Sequence, residues 1–190
     1  MSQTIENLVK AFIGESQARN RYNMYAKTAK NEGYVQISDI FTETAEHERQ
    51  HAKWLFRLIN ELKTDNNPII VEADCGTDLG TTEENLQAAI NGEHHETASM
   101  YPEFADIAEK EGHQKIAVRL RAIGRAEAHH EERYQKLLDL VKADKIFKKD
   151  TPVLWTCMEC GYVHEGEEPP VKCPACDHPS KYYKVLSEEY

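Results

Sequence analysis

Several side chains able to bind a metal ion recur along this chain at fixed spacings. Glu48-x-x-His51 and Glu127-x-x-His130 are one motif written twice, Glu93-x-x-Glu96 is its all-carboxylate counterpart, and Glu15 stands alone. Residues three or four apart share one face of a helix, so each motif presents two ligand-type groups on the same side. Close to the C-terminus, Cys157-x-x-Cys160 and Cys173-x-x-Cys176 offer four thiols. Carboxylates with imidazoles, and thiols in pairs, are the two sets of donors that proteins use to hold transition metals.

The elements that must carry these groups are long helices. From about Gln114 to Ala143 the apolar positions read Ile116, Leu120, Ile123, Glu127, His130, Tyr134, Leu137 and Val141, at helical steps of four and three. Glu127 and His130 therefore stand where leucine is expected. An unpaired carboxylate there costs several kcal/mol or takes up a proton, and a metal ion removes the conflict. A helix from about Gln36 to Leu62 repeats the arrangement with Ile37, Phe41, Thr44, Glu48, His51, Leu55, Leu58 and Leu62. A first helix, from about Thr4 to Asn31, has Ile5, Leu8, Phe12, Glu15, Arg19, Tyr22, Ala26 and Ala29 in line. A third, opening at Thr82-Glu83-Glu84-Asn85 as a cap with acidic first-turn residues, carries Leu86, Ala89, Glu93, Glu96, Met100, Phe104 and Ile107. Pro102 predicts a kink or local irregularity just past the site. One inward Glu from each of two helices and one Glu-x-x-His from each of the other two is the ligand set of di-iron carboxylate bundles.

The chain also repeats itself. Gly14-Glu15 followed by Tyr22 is echoed by Gly92-Glu93 followed by Tyr101, and Ile37 to His51 is echoed by Ile116 to His130. Counted from the turns at Gly33 and Gly112, Glu15, Glu48, Glu93 and Glu127 all lie roughly 15–19 residues in, near mid-bundle at ~1.5 Å per residue. The stretch from Lys63 to Thr82 has poor periodicity, one proline and two glycines. Its twenty or so residues can span ~65 Å extended, more than the ~40 Å of a 27-residue helix. This fits the single long crossover of a ferritin-like bundle. The expected architecture is an all-α four-helix bundle over residues 1–146 and a small β-rich metal domain over 147–190.

Tyr22 and Tyr101 face the core, where their hydroxyls need partners and ligand carboxylates are at hand. Arg19 lies on the stripe of the first helix, placed to pair with a carboxylate near the site. His47, His94, His95, His113 and His129 fall off the stripes and are read as surface residues or supports for the ligands. Cys75, in the crossover, has no thiol partner in the pattern and is read as a plain thiol.

The C-terminal module follows a charged linker, Lys142 to Pro152. Two C-x-x-C knuckles give a tetrahedral four-sulfur site that suits zinc or iron, with backbone N–H groups able to bond to the sulfurs. About 40 residues cannot build a self-sufficient core, so the metal must carry much of the folding energy. Trp155, Tyr162, Tyr182 and Tyr183 would supply a small aromatic core. A structural zinc ribbon and a redox iron site are both compatible with this spacing.

Composition narrows the partners. The chain has 33 Asp+Glu against 23 Lys+Arg and a net charge of −10, and no basic patch that would favour nucleic acid. No apolar run reaches the ~18–20 residues needed to span a bilayer. Met1-Ser2-Gln3-Thr4 has neither the basic nor the apolar part of a signal peptide, so a cytoplasmic, reducing location is expected, in which C-x-x-C pairs read as a metal site.

From end to end the sequence resembles the rubrerythrin family, a ferritin-like di-iron bundle followed by a rubredoxin-like domain. The likeness rests on Gly14-Glu-Ser-Gln-Ala-Arg-Asn-Arg-Tyr22, Gly92-Glu-His-His-Glu96 and Cys157-x-x-Cys-Gly-Tyr…Cys-Pro-x-Cys176. The resemblance implies iron at both sites, two ions in the bundle and one held by Cys157, Cys160, Cys173 and Cys176, and a peroxidase that reduces hydrogen peroxide to water. It implies that Glu48 and Glu127 bridge the two irons. Glu15 would bind one iron, and Glu93 with His130 the other. Glu96 when oxidised and His51 when reduced would alternate on the first iron, and Tyr22 and Tyr101 would hydrogen-bond to ligand carboxylates. A head-to-tail homodimer would pass electrons from the rubredoxin-like iron of one protomer to the di-iron site of its partner, with a separate electron donor feeding the first. Two other readings stand beside it. One is a ferroxidase or iron-handling bundle, against which the appended redox module argues. The other is a zinc-ribbon interaction module fused to a di-metal bundle, with zinc in place of iron at the four-cysteine site.

Overall fold

The computed structural model describes residues 2–188; Met1, Glu189 and Tyr190, at the outer ends of the two expected units, lie outside the described residues. Among these, the chain forms α1 (Gln3–Glu32), α2 (Val35–Leu62), α3 (Thr82–His95), a π-helical turn (Glu96–Met100), α4 (Tyr101–Lys110) and α5 (Gln114–Lys142). Strands β1 (Val153–Cys157), β2 (Val163–Gly166) and β3 (Tyr183–Val185) follow. Because α3, the π turn and α4 run on without a break, the bundle has four rods, as the stripes require.

The ends of α1 and the start of α3 are satisfied by nearby groups. Ser2 caps α1 by accepting from the Ile5 N–H, and the Glu111 carboxylate accepts from the Gln3 and Thr4 N–H groups, a negative charge at the positive end of a helix. Gly33 turns the chain with φ +95°, a conformation that favours glycine. Its N–H closes α1 on the Lys30 carbonyl. The cap of α3 is Thr81 rather than Thr82: its hydroxyl accepts from the Glu84 N–H and Glu84 reaches back, a full capping box. Glu32, at the end of α1, accepts from the Thr82 N–H and ties the two hairpins together.

The apolar core falls into two clusters. One packs Tyr22, Tyr25, Phe41, Leu86, Tyr134 and Leu138 near the Gly33 turn. The other packs Leu8, Leu55, Tyr101, Leu120 and Ile123 near the Gly112 turn. Glu15, Glu48, Glu93, Glu127 and His130 are buried between them. The two hairpin turns thus lie at opposite ends, so the crossover must run the length of the bundle. It follows α1: Ile69 packs on the Gly112-end cluster, the Asp74 carbonyl accepts from Gln17, and the Asp78 carbonyl accepts from Tyr25.

The π turn corrects the reading of the third helix. Its wider turn inserts one residue relative to an α-helix, which moves the buried face by one position. Beyond Glu96 the inward residues are Tyr101, Ala105 and Ala108, not Met100, Phe104 and Ile107. The irregularity falls immediately before Pro102, whose missing N–H could not complete a regular turn.

In the C-terminal module, β1 is central in an antiparallel sheet of order β2-β1-β3, with Trp155 opposite His164 and Cys157 opposite Tyr183. Its core is Trp155, Cys157, Cys173 and Tyr183. Tyr162 is exposed and Tyr182 packs edge-on against His178, ring centroids 4.8 Å apart, so only two of the four expected aromatics form the core. A module this small fills its interior with its own cysteines. Phe147 stacks on Tyr34 of the bundle, and the Lys149 N–H bonds to the Glu167 carbonyl, so the join lies over these few residues. No described helix is long and apolar enough to cross a membrane.

Candidate metal centres

Two overlapping groups of donors meet at mid-bundle. In one, ligand-type atoms of Glu15, Glu48, His51 and Glu127 all lie within 4.8 Å of one another; in the other, those of Glu48, Glu93, Glu127 and His130 do. Glu48 and Glu127 belong to both. Each turns one oxygen to each imidazole: Glu48 Oε2 and Glu127 Oε1 are both 2.9 Å from His51 Nδ1, while Glu127 Oε2 and Glu48 Oε1 are 2.8 and 3.3 Å from His130 Nδ1. Glu15 Oε1 lies 3.8 Å from His51 Nδ1, and Glu93 Oε2 lies 3.6 Å from His130 Nδ1. Each hairpin contributes one Glu helix and one Glu-x-x-His helix, so the donor set is complete only when the two halves meet.

These contacts are close but poorly served by hydrogen bonds. Glu15 Oε2, Glu48 Oε1, Glu93 Oε2, both Glu127 oxygens and His130 Nδ1 are buried without a hydrogen-bond partner. A native interior rarely leaves a cluster of polar atoms unpaired. Carboxylate and imidazole lone pairs that converge on shared points are what bound cations satisfy, and a di-metal carboxylate site fits them. Iron and manganese are the ions of such bundles.

Electrostatics say the same. Burial, then repulsion from Glu127, Glu96 and Glu48, holds the Glu15 carboxyl well above its ordinary range. Burial pushes Glu93 up to about 7, against the pull of His130. Glu96 is raised strongly, first by burial and then by Glu93, Glu127 and Glu48. For Glu48, burial acts upward, but His130 and His51 prevail and hold it at about 2. Burial lowers the two imidazoles, yet the carboxylates overcome it and raise His51 to about 9 and His130 to about 12. Two imidazolium charges cannot neutralise this many carboxylates; divalent cations can.

The tyrosines tie the hairpins together crosswise. The Tyr22 hydroxyl, on α1, donates to Glu93 Oε1 on α3 at 2.5 Å, and the Tyr101 hydroxyl, on α4, donates to Glu15 Oε1 on α1. Burial, then the neighbouring carboxylates, raise both hydroxyls well above the ordinary phenol, so they remain protonated donors. Gly124 on α5 makes room for Tyr101: a Cβ there would lie 3.1 Å from the Tyr101 Cβ.

Glu96 stands apart from the two groups of donors. Its carboxylate oxygen lies 3.9 Å from where a Cβ on Gly14 would be, at the wall of a cleft of about 560 Å³ that Lys10, Arg21, His95 and Met100 also line. Arg19 is exposed and shares a surface cleft with Phe12, Arg49 and Phe56; the buried position beside it is Ala18. It is not at the site, because the inward stripe passes one residue before it. Cys75 is an exposed thiol on the crossover. Of the off-stripe histidines, read from sequence as surface residues or supports for the ligands, His47 is of the second kind: its Nδ1 lies 3.1 Å from His130 Nε2, and its place directly before Glu48 is the signal that singles it out.

The four cysteines also converge. Cys157 Sγ is 3.7 Å from Cys176 Sγ, and Cys160 Sγ is 3.6 Å from Cys173 Sγ. Four sulfurs at ~2.3 Å around one tetrahedral ion would be about 3.8 Å apart, so the set fits. Gly161 and Asp177, each just past the second cysteine of a knuckle, have φ +75° and +63°. This left-handed turn folds the backbone back over the sulfurs. The Tyr162 N–H bonds to Cys160, those of Ala175 and Cys176 to Cys173, and that of His178 to Cys176. Cys173 is pulled down to about 6 against burial by the Tyr183 hydroxyl and these N–H groups.

The comparisons with known proteins agree with this arrangement. The family model described as Rubrerythrin matches residues 6–138, and the model for the rubredoxin-like domain of rubrerythrin matches residues 155–184. The chain is 59% identical to a putative rubrerythrin of Methanocaldococcus jannaschii, covering 100% of this chain and 96% of that one. It is 50% identical to rubrerythrin-1 of Clostridium acetobutylicum, covering 100% and 97%. Among solved structures, a mixed-valence state of nigerythrin superposes with a TM-score of 0.65 at 32% identity, covering 98% of this chain and 88% of that one. With a ferritin-like bundle holding a di-metal carboxylate site, and a four-cysteine rubredoxin-like module after it, the chain belongs to the rubrerythrin family.

Proposed function

We propose that this protein is a peroxidase that reduces hydrogen peroxide to water, with iron in both sites and electrons relayed from the rubredoxin-like Fe(Cys)₄ centre to the di-iron site. The observation that carries the reading is that the two kinds of site lie on one chain: a storage bundle has no use for a one-electron four-sulfur relay. Hydrogen peroxide takes up two electrons and two protons and leaves as two waters, and two adjacent irons would supply both electrons to one O–O bond without releasing a radical.

The placement of the side chains supports the following roles. Glu48 and Glu127 would be the shared carboxylates, a reading supported by each having an oxygen facing each imidazole. Glu15 and His51 serve one metal position and Glu93 and His130 the other. Tyr22 and Tyr101 keep the Glu93 and Glu15 carboxylates from swinging away. Glu96 and His51 would form the exchanging pair, of which His51 is the one within the cluster. Glu96 rests beside Gly14 at the wall of the cleft and would enter the site in the oxidised protein. The cleft beside Glu96 is a path for a molecule as small as peroxide. The apolar clusters above and below keep bulk water from the buried ends of the ligands. We further propose a head-to-tail homodimer, in which the four-sulfur centre of one protomer serves the bundle of its partner, and a separate reductase or electron-donor protein.

The test is to reduce the iron-loaded protein without air and to mix it with stoichiometric hydrogen peroxide or with oxygen. Much faster reoxidation by peroxide, with the colour of the four-sulfur site following the bundle iron, is expected. Faster reaction with oxygen, with accumulation of ferric mineral, would replace this reading by the ferroxidase one.

A further inference from the structure

His47 lies on α2, one residue before Glu48, and turns towards α5. Its Nδ1 is 3.1 Å from Nε2 of His130, and the two rings lie side by side, nearly coplanar, with centroids 5.3 Å apart and planes at 10°. The other nitrogen of His130, Nδ1, faces Glu127, Glu48 and Glu93. The His130 side chain is 3% exposed and that of His47 is 42% exposed. The pair therefore runs from the buried donors to the surface.

We propose that His47 is a positioning residue for one of the two metal positions, the one served by Glu93 and His130. The inference rests on the reading of His130 as a metal ligand. A histidine that binds through Nδ1 must carry its proton on Nε2 and give it to an acceptor. Ligand histidines nearly always do so, and the acceptor fixes both the tautomer and the direction of the lone pair. Here the acceptor is His47 Nδ1. The proton of His47 then sits on Nε2, 3.9 Å from Glu43 Oε1. Arg133 holds Glu43 in place, donating to Glu43 Oε2 at 3.2 Å and to Thr44 Oγ1 at 2.6 Å. The His47 ring is thus seated between His130 on one side and the Glu43–Arg133 pair on the other.

The internal repeat makes this support one-sided. Position 47 precedes Glu48-x-x-His51 as position 126 precedes Glu127-x-x-His130, and residue 126 is alanine. A methyl group cannot accept a proton from His51. The support that His47 gives His130 therefore has no counterpart from position 126 at His51.

The test uses the full chain, with ferrous ion as the probe under anaerobic conditions, competed against a chelator; the four-cysteine site is followed separately by its thiolate absorption. Wild type is expected to hold two ions in the bundle. His47→Ala is expected to weaken one of them by about 10–100-fold and leave the other unchanged. His47→Gln, whose Oε1 can accept the same N–H, should restore most of the loss. Equal binding of both ions in His47→Ala and wild type would overturn the proposal, as would equal weakening of both ions, or a glutamine variant no better than alanine. A wild-type bundle that holds fewer than two ions would instead overturn the reading of the ligands themselves.

Discussion

Removing metal from the bundle should make its stability fall steeply with pH. The donors of the site are buried to within 1% exposure for Glu15, Glu48, Glu93 and Glu127, so without cations their charges have only each other and two imidazoles. A carboxyl whose folded pKa is raised folds best when protonated. Glu93, raised from 4.5 to about 7, contributes a loss of about 3 kcal/mol as pH rises between those values, at 1.36 kcal/mol per pKa unit. Glu15 and Glu96 are raised as well and act in the same direction. His51, raised from 6.5 to about 9, contributes stability that is present below 6.5 and is lost as pH climbs through 9. Only Glu48, lowered from 4.5 to about 2, opposes them, and its stabilisation is lost below pH 4.5. The metal-free bundle should therefore be most stable near pH 4.5–5. In the loaded protein the cations keep the carboxylates charged, and binding strengthens with pH because the ligands must be deprotonated. Between pH 5 and 7.5 the gap between loaded and metal-free protein should widen by at least ~3 kcal/mol, about 6–12 °C in Tm at 2–4 °C per kcal/mol. Thermal melts followed by the helical circular dichroism signal, which comes from the bundle, measure this gap at each pH. A metal-free Tm that stays level or rises from pH 5 to 7.5 would refute the claim that these carboxylates are packed together in a dry interior.

Replacing Cys157 with Ser should abolish steady-state peroxide turnover and leave a single reaction of the pre-reduced bundle intact; full turnover would remove the relay from the mechanism. Gly124→Ala improves helix propensity by about 1 kcal/mol but sets a Cβ 3.1 Å from that of Tyr101, so the ring must move off Glu15; weaker ferrous binding with little change in metal-free Tm is expected from titration and melting. Thr81→Ala removes the capping box of α3 and should lower bundle stability by about 1 kcal/mol, read in the denaturant midpoint with metal content unchanged.

Much of this molecule is legible in its sequence because the ligands are set at the same helical period as the apolar residues. The stripes of α1, α2 and α5 place Glu15, Glu48, Glu127 and His130 correctly, since a regular helix carries its face from end to end. The third helix shows where that logic stops. Met100 is more apolar than Tyr101, and Phe104 and Ile107 are larger and more apolar than Ala105 and Ala108, yet Tyr101, Ala105 and Ala108 are the buried ones. A π turn shifts every later residue by one, and nothing in hydropathy alone marks such an insertion; Pro102 marks its neighbourhood but not its kind. The shift is also what brings the Tyr101 hydroxyl to Glu15. Arg19 was misplaced for a simpler reason: Ala18 is small enough to be overlooked as the inward residue. His47 could not be told from the other off-stripe histidines, because which of them touches a ligand of a neighbouring helix depends on how the helices pack.

The site also explains how two similar hairpins come to form one bundle. Within a hairpin, helices adjoin because the chain makes them neighbours; between hairpins, something must choose the register. An apolar interface tolerates sliding by a turn, since leucine fits many holes. The donors do not. Tyr22 must reach Glu93, Tyr101 must reach Glu15, and Glu48 and Glu127 must each stand between His51 and His130. A slip of one helical turn, ~5.4 Å, would break all of these at once and leave four buried carboxylates beside apolar side chains. The metal-binding residues thus weaken the metal-free fold yet specify its register, and the bound ions turn the same residues into a crosslink between the halves. This predicts that Tyr22→Phe and Tyr101→Phe together will loosen the pairing of hairpins in the metal-free protein more than the sum of the single changes, because each hydroxyl bonds across the same interface. Hydrogen exchange of α1 and α3 amides measures it, and strictly additive effects would argue that the apolar clusters alone set the register.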